Sequence, residues 1–228
     1  TLAVAREVAG DKLLVREFPW QDDFAAARNF ALQAATEAGA KWAVTVDTDE
    51  RLVFDPGVDL RQLLARTRAS VLLVGQVDGT YAKERIIRLP TGMRWNGPTH
   101  EALEGQRSGE SEVCPGVHFS ELSKDAAAMR RKFERDAAVL ARHVQANPTV
   151  PRWHYYLGAS LHDLLRYEEA IEAYRACAAL RGWEEEGAWA CYRAADCYCA
   201  LKRWREAIDM CAQGLAIRPA TAELAWLA

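Results

Sequence analysis

Three carboxylates stand within four residues at the end of an apolar, β-rich run, Val44-Thr45-Val46-Asp47-Thr48-Asp49-Glu50. A continuous run of this kind reads as a strand covered on both faces. Open α/β sheets bind their ligands beyond the C-terminal ends of strands, so these acids stand where a site would be built. Asp47 and Asp49 are two apart, and as the chain turns out of the strand both can face one ion. Carboxylate oxygens suit Mg²⁺ or Mn²⁺, which in turn binds phosphates. A lone D-x-D is also what an ordinary acidic turn looks like, so its meaning depends on what surrounds it.

The surrounding elements alternate short apolar runs with polar turns. Leu13–Phe18 reads as a strand, and Trp42–Val46 as a stronger one. Between them Asp23 caps a helix from Phe24 to Ala38, which Gly39 stops. That is the strand–helix–strand unit of a parallel sheet. Val71–Val77 is a further buried strand, and the shorter Arg85–Leu89 is expected toward an edge. The expected fold class is α/β followed by all-α, a mostly parallel sheet with helices and then a helical-hairpin array. The boundary is placed so that residues 1–122 form the first domain and residues 123–228 the second.

Past Ser123 glycine and proline thin out and helical spacing takes over. Trp153, Tyr156, Leu157, Leu161 and Leu164 lie on one helix face. Tyr167 opens a second helix through Ala170, Ile171, Tyr174 and Cys177. Shifted by 37 residues the pattern returns: Tyr167-Glu168-Glu169-Ala170-Ile171 becomes Trp204-Arg205-Glu206-Ala207-Ile208, and Leu164 becomes Leu201. This resembles tetratricopeptide repeats, whose period is about 34 residues, with Glu184-Glu185-Glu186 in a longer, solvated connector near Gly182–Gly187. Such helix pairs bury their apolar stripes only by stacking on one another. Their concave face implies a peptide or protein partner, or self-association, and names none. A last helix starting near Ala220 is expected to lack a partner and to fray.

With 228 residues, 50% apolar and 27% charged, the chain has the composition of a soluble globular protein. A net charge of −3 argues against general attraction to nucleic acid. No transmembrane segment is expected, since no apolar run approaches the roughly 18 residues a membrane span needs. No basic-then-apolar leader opens the chain. Of six cysteines, five lie between Cys177 and Cys211, without a C-x-x-C pair. Buried reduced thiols in a cytoplasmic protein are expected rather than zinc or disulfides.

The D-x-D has company. Trp20-Gln21-Asp22-Asp23-Phe24-Ala25-Ala26-Ala27-Arg28-Asn29, followed by Trp42 to Glu50, resembles the W-x-D-D-F-x-x-A-R-N … W-x-x-x-x-D-x-D-E pattern of family-two glycosyltransferases. Further on, Trp95-Asn96-Gly97-Pro98-Thr99-His100-Glu101 is similar to their W-x-G-x-x-H-E. These enzymes have the GT-A fold and use nucleotide sugars. The likeness, over about residues 1–120, is greatest to bacterial lipopolysaccharide-core and peptide glycosyltransferases, some of which carry tetratricopeptide repeats.

The resemblance implies that Asp49 holds Mn²⁺ or Mg²⁺ on the donor diphosphate. Asp47 would contact the ribose or sugar and belong to the metal site. Arg28, Asn29 and His100 fall among the donor-side contacts, and His118 completes the metal shell or binds diphosphate. Glu101 is the candidate base. The implied partners are a nucleotide-diphosphate sugar, with UDP the first choice, and a glycan, lipid or peptide acceptor. The reaction is an inverting transfer to an acceptor hydroxyl or other nucleophile. Simpler roles compete: Asp22 and Asp23 as helix caps, Arg28 on a helix surface, Asn29 bonded locally, His118 structural. The family's opening base-binding strand is not seen, and Thr1-Leu2-Ala3-Val4-Ala5 looks like the end of the stretch that follows it. The alternative function is therefore a non-catalytic tetratricopeptide interaction module attached to an incomplete transferase domain. A metal-dependent phosphoesterase is a weaker third reading, because no second His and Asp cluster supplies a two-metal clamp.

Overall fold

A computed structural model describes residues 2–106 and 109–227. Thr1, in the stretch compared with the family's opening segment, and Ala228, at the end of the last expected helix, lie outside them. The chain divides into two compact units. One comprises Thr1–Asn96 and Leu103–Ser120; the other comprises Gly97–Ala102 and Glu121–Ala228.

The first unit opens with α1 (Leu2–Ala9) and a 3₁₀ turn at Gly10–Lys12. Leu13–Phe18, expected as a strand, has no ladder partner. Its β pattern is local, and a strand exists only where a neighbour completes its hydrogen bonds. Phe18 packs instead on Phe30, with ring centroids 5.2 Å apart. The next helix, α2 (Phe24–Glu37), starts as expected, with Asp23 accepting a 2.8 Å bond from the Ala26 amide. Gly39 ends it at φ +77°. Then follow β1 (Trp42–Val44), β2 (Glu50–Phe54), α3 (Leu60–Arg66), β3 (Val71–Gln76), β4 (Ala82–Arg88), β5 (Arg94–Asn96), β6 (Ala102–Glu104) and β7 (Ser111–Glu121).

The main sheet runs β1-β4-β3-β7-β2, and β5 pairs with β6 separately. β4 is antiparallel to both β1 and β3, whereas β3 and β7 are parallel. The sheet is thus mixed rather than mostly parallel. The cause is local: the tight turn at Val77–Tyr81, with Gly79 at φ +76°, returns the chain directly beside β3. One face, built on Val71, Ile87 and Leu89, packs on Ala25 and Leu32 of α2. The other, built on Leu72, Val74, Ile86, Val117 and Phe119, packs on α3 through Leu60, Leu63 and Leu64.

Arg85–Leu89, expected near an edge, lies inside the sheet, and Arg85, Ile86 and Ile87 are all buried. Leu72 pairs with Ile86 and Leu73 with Glu84, which leaves Arg85 as the extra residue of a β-bulge. β1 and β2 end the strand order on opposite sides, yet only residues 45–49 join them. A flat five-stranded sheet would separate those edges by roughly 19 Å. The joining segment is a turn, not an extended chain, and Glu50 at the start of β2 reaches Lys83 and Arg85 on β4. The sheet is therefore curled.

The second unit holds α4 (Ala126–Ala146), α5 (Pro151–Asp163), α6 (Tyr167–Ala179), α7 (Glu184–Ala200), α8 (Trp204–Ile217) and α9 (Ala222–Leu227). The 37-residue repeat is visible in the backbone. Leu165 and Lys202 both adopt left-handed φ, +60° and +59°. The amides of Arg166 and Arg203 bond back to Leu161 and Tyr198 at 2.9 Å each. One core, including Leu161, Tyr174, Cys191, Cys197, Met210 and Leu224, runs through the stacked pairs. All six cysteines are free thiols, and all but Cys199 are buried.

Two expectations change. Glu184-Glu185-Glu186 is the first turn of α7, where the helix dipole favours carboxylates, and Glu186 is buried beside Arg152. The last helix does have a partner, since Leu224 is fully buried and lies against Gly214. Among the described residues no helix is long and apolar enough to cross a membrane.

A Cβ added at Gly158 would lie 2.7 Å from the ring of fully buried Tyr174. Gly158→Ala should lower stability by about 1–3 kcal/mol in denaturant unfolding, as overpacked core substitutions do. At Gly187, also helical, the nearest side-chain atom is 3.8 Å away, and the same substitution there should not destabilise.

Candidate functional site

Asp47–Glu50 is a closed turn at the end of β1. The Glu50 amide donates to the Asp47 carbonyl at 3.0 Å, and the Asp47 amide donates to Glu50 Oε2 at 3.2 Å. Cations hold its two end carboxylates. Asp47 Oδ1 accepts from Arg28 Nη2 and Oδ2 from Arg85 Nη2, both at 2.8 Å. Glu50 Oε1 accepts from Lys83 Nζ at 2.9 Å and closely from Arg85. Burial alone would raise the Asp47 carboxyl, but the charges and hydrogen bonds of Arg28 and Arg85 outweigh it and hold it below the usual carboxylate range.

Arg28 joins this network to a third segment. Its guanidinium lies 5.2 Å over the Trp95 ring while it binds Asp47. Asn29, the next residue of α2, bonds the same tryptophan through its backbone: Nδ2 donates to the Trp95 carbonyl and Oδ1 accepts from the Trp95 amide, both at 2.9 Å. That pair does what a neighbouring strand would do, and it fixes β5. Of the two acids before α2, Asp23 caps it and Asp22 accepts from Trp20 Nε1 at 2.9 Å.

His118 lies elsewhere. Val117 and Phe119 point into the α3 side of the sheet, so His118 between them faces the other way. Its Nε2 is 3.5 Å from Asp55. The Phe119 ring sits under Lys83 at 4.6 Å, on the side of the carboxylate cluster. Among the described residues no three His, Cys, Asp or Glu side chains are grouped to hold a metal. Both Asp47 oxygens already accept from arginine, so an ion there would share the carboxylate with two guanidinium groups. Mg²⁺ needs just one or two carboxylates beside phosphate oxygens and water, and Asp47 and Asp49 are ligands of that type.

His100 and Glu101 belong to the helical unit. The His100 ring stacks on Tyr156 with centroids 4.1 Å apart and planes 4° from parallel. Burial, aided by the charge of Lys132, pushes the imidazole down to about 4.

Sequence reasoning missed Lys83, Arg85 and the role of Trp95. A basic residue in an apolar run looks like an edge, and only the paired acids make a buried arginine readable. The signal lay in two acids at Asp47 and Glu50 beside two cations two apart at Lys83 and Arg85.

The comparisons with known proteins bear on the helices. Residues 164–228 match the family model of the tetratricopeptide repeat. A TPR repeat-containing protein of Synechococcus elongatus is 37% identical over 112 residues, covering 46% of this chain and 26% of the relative. The chain thus spans about a quarter of the length of that curated relative. Among solved structures, the N-terminal domain of stress-induced protein-1 from C. elegans aligns at 13% identity, covering 45% of this chain and 84% of that one, with a TM-score of 0.40. A type III secretion translocator chaperone of Yersinia enterocolitica aligns at 21% identity over 42% of this chain and 71% of that one, with a TM-score of 0.36. The C-terminal helices are a tetratricopeptide-repeat region.

Two outcomes are expected. Arg85→Met removes the shared partner of a buried Glu50 and of Asp47, and should cost about 3–5 kcal/mol in denaturant unfolding. The carboxyl of Asp47, followed by NMR, should titrate higher in that variant. His100 is lowered from 6.5 to about 4, so its contribution to stability is complete above 6.5 and is lost as pH falls from 6.5 toward 4. His100→Phe should flatten that acid limb in thermal melts taken across the same range.

Proposed function

We propose that the chain forms part of an inverting, metal-dependent glycosyltransferase that moves a sugar from a nucleotide-diphosphate donor to an acceptor hydroxyl or other nucleophile. The observation that carries this reading is the meeting of three sequence-distant motifs in one network. Arg28 of W-x-D-D-F-x-x-A-R-N binds Asp47 of the D-x-D and covers Trp95 of W-x-G-x-x-H-E. The order of these motifs in the sequence does not require them to touch.

In this reading Asp49 takes the divalent ion, which when bound supplies positive charge to the departing diphosphate. Arg28 and Arg85 keep Asp47 ionised and oriented toward donor hydroxyls. Glu101 takes the acceptor's proton as the acceptor oxygen bonds to the anomeric carbon and the bond to the diphosphate oxygen breaks. The configuration inverts once. The GT-A fold, a UDP-sugar donor and a glycan, lipid or peptide acceptor go with this proposal. So does a cytoplasmic location, which suits six reduced thiols.

A second reading is favoured by the family match over residues 164–228. Here the repeats bind a protein, and the sheet unit is a non-catalytic support. A groove of about 470 Å³, apolar at Ala137, Leu157 and Leu161 and charged at Glu134, Arg166, Glu169 and Glu172, offers a surface for it.

Calorimetric titration of UDP, GDP and CMP with and without Mn²⁺ separates the two. The transferase reading expects manganese-dependent binding of one nucleotide, reduced at least tenfold by Asp49→Asn. Binding of none of them, or binding indifferent to that substitution, would overturn it and leave the interaction module.

A further inference from the structure

The H-E segment is built into the helices. Gly97–Ala102 lies between β5 and β6 in sequence but belongs to the helical unit. Gly97 makes the entry turn at φ +110°, where an added Cβ would sit 3.4 Å from the Glu101 Cα and 3.8 Å from Trp153 Nε1. Pro98 and Thr99 are buried. His100 has φ +51°, a left-handed conformation that a non-glycine residue keeps only where its surroundings impose it.

Here α5 imposes it. Tyr156 stacks face to face on the imidazole. Arg152, one turn earlier, lies 4.9 Å over the other end of the same arrangement, the Tyr156 ring, and donates to the Tyr156 hydroxyl at 3.3 Å. The same guanidinium donates to the His100 carbonyl at 3.4 Å, and its second nitrogen reaches Glu186 of α7 at 3.4 Å. The His100 carbonyl and the Glu101 amide are one planar peptide group. Fixing that plane fixes where the Glu101 Cα sits, the point from which its side chain leaves the backbone.

We propose that the repeat region has a task within the reaction itself: α5 holds the His100–Glu101 segment, and His100 acts as a positioning residue for Glu101 by stacking on Tyr156, not by carrying a proton. The inference rests on the transferase reading, because Glu101 is the base only there. It also accounts for a histidine that burial lowers to about 4, where a proton carrier would sit closer to neutrality.

The test uses the whole chain with His100→Ala, His100→Phe and Tyr156→Ala. Hydrogen–deuterium exchange of residues 97–102 reports the segment directly. Release of UDP from UDP-glucose and UDP-N-acetylglucosamine in the presence of Mn²⁺ reports turnover. The expected result is tenfold or faster exchange and at least tenfold lower kcat in His100→Ala and Tyr156→Ala, with KM within twofold. In His100→Phe, which keeps a flat ring, both should recover most of what alanine loses. If His100→Phe protects the segment yet turns over as slowly as His100→Ala, the imidazole itself is needed and the proposal is overturned. Unchanged exchange in His100→Ala would overturn it equally, because the stack would then not hold the segment. A wild-type chain that neither binds nucleotide with Mn²⁺ nor releases UDP overturns the transferase reading, and the role of Glu101 with it. That outcome differs from a failure of positioning alone, where the wild type turns over and only the variants misbehave.

Discussion

The sheet unit depends on keeping one guanidinium out of water. Arg85 sits inside the sheet with 2% of its surface exposed, and a charge so placed must be paired and hydrogen-bonded. The bulge at Arg85 turns the side chain toward Asp47 and Glu50. Those two acids can reach it only if the chain leaving β1 folds back at once, so the Asp47–Glu50 turn and the burial of Arg85 require each other. The same requirement brings the start of β2 to β4 and curls the sheet. Lys83 completes the balance from its place over Phe119 and Tyr81, where aromatic faces favour a cation.

Around that centre, adjacent residues of α2 divide two tasks. Arg28 is electrostatic, since it neutralises Asp47 and covers Trp95. Asn29 is structural, since its amide is bonded on both sides to the Trp95 backbone. An R-N pair in a transferase-like motif therefore need not be two donor contacts. One residue of the pair secures the strand that leads into Gly97–Ala102, and the other secures the acid turn.

What the sequence made legible follows from the range of the forces involved. The Asp23 cap, the Gly39 stop and the 37-residue repeat are set within a few residues, and the chain shows them plainly. The paired turns at Leu165 and Lys202 repeat because the same local bonds repeat. Leu13–Phe18 was misread because strand propensity does not reveal whether a ladder partner exists. Arg85–Leu89 was placed at an edge because charge in a strand normally seeks water, and the acids that cancel it lie 35 and 38 residues earlier in the chain. Glu184–Glu186 read as solvated loop because clustered acids usually are solvated, whereas here they fill the positive end of α7. The acid turn itself was legible as a polar turn at a strand end. Its cations were not, because a bulge decided which way they point.

The charge network also assigns roles among the acids. A base must give up its other attachments to accept a proton near neutral pH. Asp47 is held below the ordinary carboxylate range by two guanidinium groups, and the Glu50 oxygens already take Lys83, Arg85 and the Asp47 amide. Neither is suited to remove a proton, and neither is disposed to turn from those partners to a metal. What the turn offers at Asp47 is a fixed, ionised carboxylate held by two guanidinium groups. A transfer reaction at such a turn must take its base from another segment. The His100–Glu101 segment of the helical unit is held differently, through the stack of His100 on Tyr156. The protein thus holds its side chains in two ways: ion pairs fix Asp47 and Glu50 in the sheet unit, and aromatic packing fixes His100 in the helical unit.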